Sequence, residues 1–153
     1  MTFEIETASS FISTFLRECP DHVKLAFTEH LQYNITKKYQ GHWNPQFPLK
    51  GSAYRAITCF GKIDPLILSA GESSGLDVTA MKSLFVEEFV IWVDPGNVSY
   101  RVGSYGNPIT IWKQELRAHA IPIRKATDSS PLSRNSSLKE NQETNSQERI
   151  FVF

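Results

Sequence analysis

The sequence lacks three features that would assign it to common functional classes. Its only two cysteines, Cys19 and Cys59, are not in a CxxC pair and have no histidines at zinc-site spacing, so we expect reduced thiols. No stretch approaches the roughly 18 consecutive apolar residues of a membrane span. Residues 1–15 carry Glu4 and Glu6 instead of the basic start of a secretion signal. We therefore expect a soluble protein of the cytoplasm and nucleus, without membrane contact.

The chain also lacks net charge and a recognisable catalytic group. Its 153 residues include 16 Lys+Arg and 16 Asp+Glu, so no overall positive field attracts phosphate backbones, and direct nucleic-acid binding is not expected. The histidines at positions 22, 30, 42 and 119 lack the neighbours of a catalytic triad. Glu87 and Glu88 fall on opposite faces if the strand that follows extends to them. We expect no enzyme, no cofactor and no metal site.

Hydrophobic periodicity predicts N-terminal helices. Apolar residues from Ile5 to Phe15 recur at three- or four-residue spacing, which predicts a first helix that ends near Cys19. After Pro20, with Asp21 as the expected cap, a second apolar stripe predicts another helix to about residue 38. The lysines that end it favour the helix dipole and need no other function.

The middle of the chain predicts a small antiparallel sheet. A loop is expected over residues 41–51, and Asp64-Pro65 has the cap and first-turn proline of a helix to residue 73. A short helical turn is expected near residues 77–83. Strands are predicted at residues 54–60, 89–94, 98–103 and 109–112. Asp94-Pro95-Gly96-Asn97 predicts a type II turn, and the short connections exclude parallel crossovers. The fold class is therefore α/β (α+β), with helices packed on an antiparallel sheet.

The composition changes near residue 118. Serines, asparagines and scattered charges replace the apolar periodicity, which predicts a domain over residues 1–118 and a disordered Ser/Asn-rich tail over 119–153. Ser130-Pro131 in this tail is a candidate phosphorylation site.

Two aromatic side chains are candidates for a binding surface. Alternation along the strand at 89–94 places Trp92 on the face opposite Ile91 and Val93. The same rule puts Tyr54 on the less apolar face of the preceding strand. Trp and Tyr are favoured anchors in protein interfaces. The alternative is that helices cover both faces and bury the rings. His42-Trp43, in contrast, is interpreted as a plug that fixes its loop to the core.

Two longer motifs resemble a known family. Residues 37–43 (KKYQGHW), followed by Pro45, Pro48 and residues 50–55 (KGSAYR), resemble the first signature box of the BTG/TOB antiproliferative proteins. Residues 91–95 (IWVDP) and 98–103 (VSYRVG) resemble the second box. The match spans about residues 1 to 113, and the first box resembles the TOB branch in particular.

The resemblance implies helices against a small antiparallel sheet and a non-enzymatic adaptor function. Members of the family bind the catalytic deadenylase subunit of the CCR-NOT complex, promote mRNA poly(A) shortening and restrain proliferation. RNA-bound or transcription factors are further implied partners. By position in the motifs, the implied partner-binding residues are Tyr54 and Trp92, with Asp64 and Asp94 near the same surface. Asp64 also fits a helix cap, and Asp94 also fits a turn residue.

Departures from the family pattern concern the rim of the implied surface. Gly96 stands where the family usually has an aromatic residue, and Asn97 and Ser104 stand where it usually has acidic ones. Two alternatives therefore remain open: a self-associating domain without deadenylase binding, and a weak RNA-binding module that uses Trp43 and the lysines ending the second helix. The poly(A)-binding-protein motifs of longer TOB proteins are not present in this sequence, so direct contact with that protein is not expected.

Overall fold

The computed structural model describes residues 1–115. The tail predicted for residues 119–153, with Ser130-Pro131, lies outside the described residues. Within them, no helix is long and apolar enough to cross a membrane.

Five helices and four strands make up this part of the chain. The helices are α1 (Thr2–Ser13), α2 (Asp21–Tyr39), α3 (Ser52–Arg55), α4 (Pro65–Ser73) and α5 (Val78–Leu84). The strands are β1 (Ile57–Cys59), β2 (Phe89–Asp94), β3 (Asn97–Val102) and β4 (Ile109–Lys113). They form one antiparallel sheet in the order β1-β2-β3-β4. The predicted fold class, helices with a small antiparallel sheet, is confirmed.

The core lies between the helices and one face of the sheet. Phe27, Leu31 and Ile35 of α2 are fully buried at the four-residue spacing that predicted this helix. Helix α1 contacts β2, β3 and β4, and α2 contacts α1 and α4. On the sheet, Ile91 and Val93 are fully buried, as the alternation along β2 predicted.

Helix α4 begins as the sequence predicted. The Asp64 side chain accepts a hydrogen bond from the Leu66 N–H at 2.9 Å, and Pro65 occupies the first helical position. Asp77 caps α5 in the same way through the Ala80 N–H at 2.7 Å.

The first two helices differ from the prediction at their junction. Helix α1 ends at Ser13 rather than near Cys19, because the N–H groups of Leu16 and Cys19 donate three residues back in tighter turns. Leu16 is nonetheless fully buried, so the apolar spacing continues past the true helix end. Asp21 does not cap α2: Pro20 is the N-cap, no side chain caps it, and Asp21 lies 3.6 Å from the Lys24 ammonium.

The prediction of a strand over residues 54–60 is wrong in its first half. Gly51 adopts φ 77°, a left-handed conformation that glycine tolerates, and its carbonyl accepts the N–H groups of Tyr54 and Arg55. The chain therefore makes one helical turn, α3, before β1 begins at Ile57. Tyr54 lies on this turn and not on a strand.

The β2–β3 hairpin turns at Pro95-Gly96, as predicted, with Asp94 paired to Asn97. Gly96 has φ 77°, as the third position of a type II turn requires. The Gly96 N–H donates to Glu4 Oε1 at 3.0 Å, which joins α1 to the hairpin. Burial acts to raise the pKa of Glu4, but hydrogen bonds from the N-terminal ammonium and Gly96 outweigh it and hold that pKa below its ordinary value.

We expect this carboxylate to make folding stability depend on pH. Because the folded pKa of Glu4 is lowered, its contribution is fully present above the unfolded pKa and is lost as pH falls through the folded pKa. Glu4→Gln should therefore unfold at lower urea than the wild type at neutral pH, and the gap should close in acid. Glu6→Gln, an exposed neighbour on α1, is the matched control. A gap that stays constant with pH would contradict the assignment.

Candidate protein-binding surface

Tyr54 presents an accessible ring at the start of the sheet region. Its side chain is 45% exposed. The ring stacks on His42, with centroids 4.1 Å apart and planes at 29°. The Lys38 ammonium lies 5.5 Å from the ring centroid, within cation–π range. Tyr54 is thus held between α2 and the loop of residues 41–51, with part of its surface free.

The adjacent Arg55 side chain organises that loop from inside. It is fully buried. Nη1 donates to the carbonyls of His42 at 2.8 Å and Lys50 at 2.9 Å, and Nη2 donates to the Pro48 carbonyl at 2.6 Å. Three carbonyls of one irregular segment therefore converge on a single guanidinium, which explains how a loop with two prolines keeps one conformation.

The same guanidinium fastens the loop to the sheet. Arg55 Nε donates to the Val93 carbonyl at 3.0 Å, and Nη2 lies 2.5 Å from Asp94 Oδ1. Asp94 Oδ2 accepts the Ser52 hydroxyl at 2.7 Å. A guanidinium has five N–H donors, and Arg55 makes five hydrogen bonds, so its buried charge is fully satisfied.

Aromatic packing closes this centre on the α2 side. The Tyr39 hydroxyl donates to the Arg55 carbonyl, and burial raises the pKa of Tyr39 far above its ordinary value. Trp43 stacks on Tyr39 with centroids 6.0 Å apart, and its ring lies 5.6 Å from Arg55 Cζ. Trp43 therefore plugs the loop as predicted. His42 does not: it is exposed and supports Tyr54, so that half of the interpretation is wrong.

Trp92 lies in the middle of β2 on the face turned away from the helices. The helix side of the sheet is identified by Phe11 of α1, which packs on Tyr100 with centroids 4.5 Å apart, and by Ile91, which pairs with Tyr100. Trp92 pairs with Ser99 on the other face and is half-buried. Arg101 Cζ lies 5.6 Å from its ring centroid. Trp92 is thus a large ring on a mostly polar face.

Asp64 and Asp94 lie inside the domain. They are 8% and 5% exposed. Asp64 accepts the N–H groups of Leu66 and Thr58, so it caps α4 and fixes β1, while Asp94 serves Arg55 and Ser52. Both carboxylates position neighbouring elements, and their contact with a partner stays a prediction that this burial does not favour.

Sequence reasoning did not assign three cations to this surface. Arg55 lies beneath it, and Lys38 and Arg101 lie over the Tyr54 and Trp92 rings. Arg101 could have been found, because the predicted hairpin register makes it the diagonal neighbour of Trp92. Arg55 had no local signal, since its partners Val93 and Asp94 are distant in sequence.

The geometry offers little to metal or RNA chemistry. Within residues 1–115, no group of three or more His, Cys, Asp or Glu side chains could hold a metal ion. Trp43 packs against Tyr39 and Arg55, so the RNA-binding alternative loses its proposed stacking residue. Lys37 and Lys38 each lie over a tyrosine ring, Tyr33 and Tyr54 respectively.

Comparisons with known proteins match this same region. The model of the BTG family matches residues 1–112. Human Tob1 is 38% identical over 107 residues, which are 69% of this chain and 31% of that protein. Human BTG1 is 39% identical over 116 residues, 74% of this chain and 68% of that protein. The chain therefore belongs to the BTG family, a family of antiproliferative regulators.

The matched relatives include proteins longer than this chain and one solved domain with the same fold. The chain spans about a third of the length of the Tob proteins it matches, and Tob1 and BTG1 are similar to it to nearly the same degree. The C. elegans FOG-3 BTG/Tob domain has the same fold, with a TM-score of 0.68 at 20% identity, covering 86% of this chain and 92% of that one.

Removing the buried Arg55 guanidinium should destabilise the folded domain. Arg55→Met leaves Asp94 buried without its partner, so we expect a loss of about 3 to 5 kcal/mol in the free energy of unfolding. Urea titration of Arg55→Met, Asp94→Asn and the double variant measures it. The double variant should cost less than the two single losses added, because both residues share one network. Lys50→Met, an exposed cation of the same loop, is the control. A loss no larger than that of the control would contradict the role given to Arg55.

Proposed function

We propose that this domain is a non-enzymatic adaptor that docks onto the catalytic deadenylase subunit of the CCR-NOT complex through Tyr54 and Trp92. Membership of the BTG family supports the choice of partner, and the positions of the two rings support the choice of residues. Both rings lie in the two family motifs, and each keeps accessible surface.

One hydrogen bond carries the structural part of this proposal. Arg55 Nε donates to the Val93 carbonyl at 3.0 Å. Tyr54 precedes Arg55 in the chain, and Trp92 precedes Val93, so each candidate anchor is the immediate neighbour of one end of that bond. That bond therefore joins the two segments of the chain that carry the rings.

Such preorganisation suits a docking site. An anchor that is already immobile loses little conformational freedom on binding, so more of its contact energy appears as affinity. Aromatic side chains at the centre of an interface commonly dominate its binding energy. Tyr54 and Trp92 are both aromatic, and the Arg55–Val93 hydrogen bond joins the segments of the chain that carry them.

The biological consequence follows from recruitment. An adaptor that holds the nuclease beside RNA-bound or transcription factors would promote mRNA poly(A) shortening and thereby restrain cell proliferation. This recruitment would take place in the cytoplasm and nucleus, where such transcripts and factors are found.

Alanine at either anchor should weaken binding to the purified deadenylase subunit. We expect Tyr54→Ala and Trp92→Ala each to raise the Kd about thirtyfold, equivalent to about 2 kcal/mol. Isothermal titration calorimetry on the full chain measures this. Tyr33→Ala is a closely matched control, since Tyr33 is also an exposed tyrosine with a lysine, Lys37, over its ring. Wild-type affinity in both anchor variants, with circular dichroism showing an intact fold, would contradict the proposal.

A further inference from the structure

Arg101 accompanies Trp92 on the outward face of the sheet. It lies on β3 and pairs with Val90, while Trp92 pairs with Ser99, so the two side chains are diagonal neighbours across the strands. The guanidinium Cζ lies 5.6 Å from the Trp92 ring centroid. A cation thus borders the ring that the proposed function treats as an anchor.

The Arg101 guanidinium has a donor that residues 1–115 leave unused. Arg101 Nε is buried and has no hydrogen-bond partner, the one such side-chain atom found within residues 1–115. The ion pairs found there involve Glu4, Asp21 and Asp94, and none involves Arg101. Buried donors are nearly always paired in folded proteins, so the unpaired Nε shows that the hydrogen-bonding capacity of Arg101 is not used up within residues 1–115.

The neighbouring side chains do not neutralise this charge. Ser99 and Asn97 on β3 and Thr110 on β4 share the outward face, and all three are uncharged. Two acidic residues lie on or beside that face. Asp94 of β2 is engaged by Arg55, and Glu88, whose carbonyl accepts the Gly103 N–H just before β2, forms no ion pair with Arg101. Arg101 therefore keeps its positive charge beside an aromatic ring without an ion-pair partner within residues 1–115.

The second anchor has the same composition. Lys38 lies 5.5 Å from the Tyr54 ring centroid, and its ammonium donates to the Ala56 carbonyl at 3.3 Å instead of to a carboxylate. Each candidate anchor is therefore an aromatic ring with a cation that has no acidic partner within the described residues.

We propose that the protein surface received by Tyr54 and Trp92 is acidic, and that one of its carboxylates pairs with the Arg101 guanidinium at the edge of the Trp92 ring. This inference rests on the proposed function, because it specifies the chemistry of the same docking surface. A guanidinium matches a carboxylate through two parallel hydrogen bonds, and the Arg101 side chain is part-exposed, so its guanidinium can present such donors to a partner.

A protein carboxylate fits this site better than an RNA phosphate. The chain has no net charge, with 16 Lys+Arg and 16 Asp+Glu, so it lacks the field that concentrates nucleic acid. Arg101 also covers part of the Trp92 ring that a base would need for stacking. RNA binding is therefore the outcome that the test must exclude.

The test compares three variants of the full chain for binding to the purified deadenylase subunit at low and high salt. Arg101→Met keeps the apolar stem and removes the charge; we expect it to raise the Kd about tenfold at low salt. That loss should shrink at high salt, which screens charge pairs. Arg101→Lys keeps the charge without the fork and should lie between Arg101→Met and the wild type. Lys82→Met removes an exposed cation of α5, which is not on the sheet and lies over neither anchor, and should leave the Kd unchanged.

The result also separates this inference from the proposed function. If Arg101→Met binds like the wild type at both salt concentrations while Trp92→Ala loses affinity, the acidic-partner inference is wrong and the docking surface stands. If Trp92→Ala also binds like the wild type, the docking surface itself is wrong. If single-stranded poly(A) binds the wild type and is lost with Arg101→Met, the site recognises phosphate and the inference is overturned.

Folding stability provides a second readout. Because Arg101 Nε is an unpaired buried donor, Arg101→Met should be at least as stable to urea as the wild type. A clear loss of stability would show that Arg101 holds the sheet together, and would overturn its assignment as a group kept for a partner.

Discussion

A buried guanidinium is the constraint on which the region around Tyr54 and Trp92 depends. An ionised group inside a protein is costly unless it is paired and hydrogen-bonded, and Arg55 meets that condition with Asp94 and four backbone carbonyls. Satisfying it brings the loop of residues 41–51, the turn α3 and the strand β2 to one point. The positions of Tyr54 and Trp92 follow from that convergence, since each is adjacent in the chain to a member of the network.

The elements that repeat a simple period were predictable from sequence. Helix α2 buries every fourth residue, β2 places Ile91 and Val93 on the core side and Trp92 on the other, and Pro95-Gly96 turns the hairpin as its composition indicated. The failures came where long-range contacts decide the backbone. Helix α3 is closed locally by the Gly51 carbonyl, but its attachment to the sheet is made by Arg55 with Val93 and Asp94, almost forty positions away. The end of α1 was missed because Leu16 stays buried after the helix stops.

The structure shows where the predicted site residues lie, and for Tyr54 the structural setting differs from the predicted one. Trp92 lies on the outward strand face that alternation predicted, whereas Tyr54 is accessible on a helical turn. Asp64 and Asp94 matched family motif positions, but their side chains are used inside the fold. Motif position alone thus did not separate residues with accessible side chains, such as Tyr54, from the buried Asp64 and Asp94 that support them. The diagonal position of Arg101 beside Trp92 follows from the predicted hairpin register, whereas its unpaired Nε is seen only in the structure.

Oxidative footprinting of the full chain with and without the deadenylase subunit tests most directly whether these two rings form the contact surface. Hydroxyl radicals modify accessible aromatic side chains, so mass spectrometry can follow each ring separately. Docking as proposed predicts that modification of Tyr54 and Trp92 falls together when the subunit is added, while that of Tyr33 on α2 does not change. A complex that protects other residues and leaves both rings as reactive as before would contradict it.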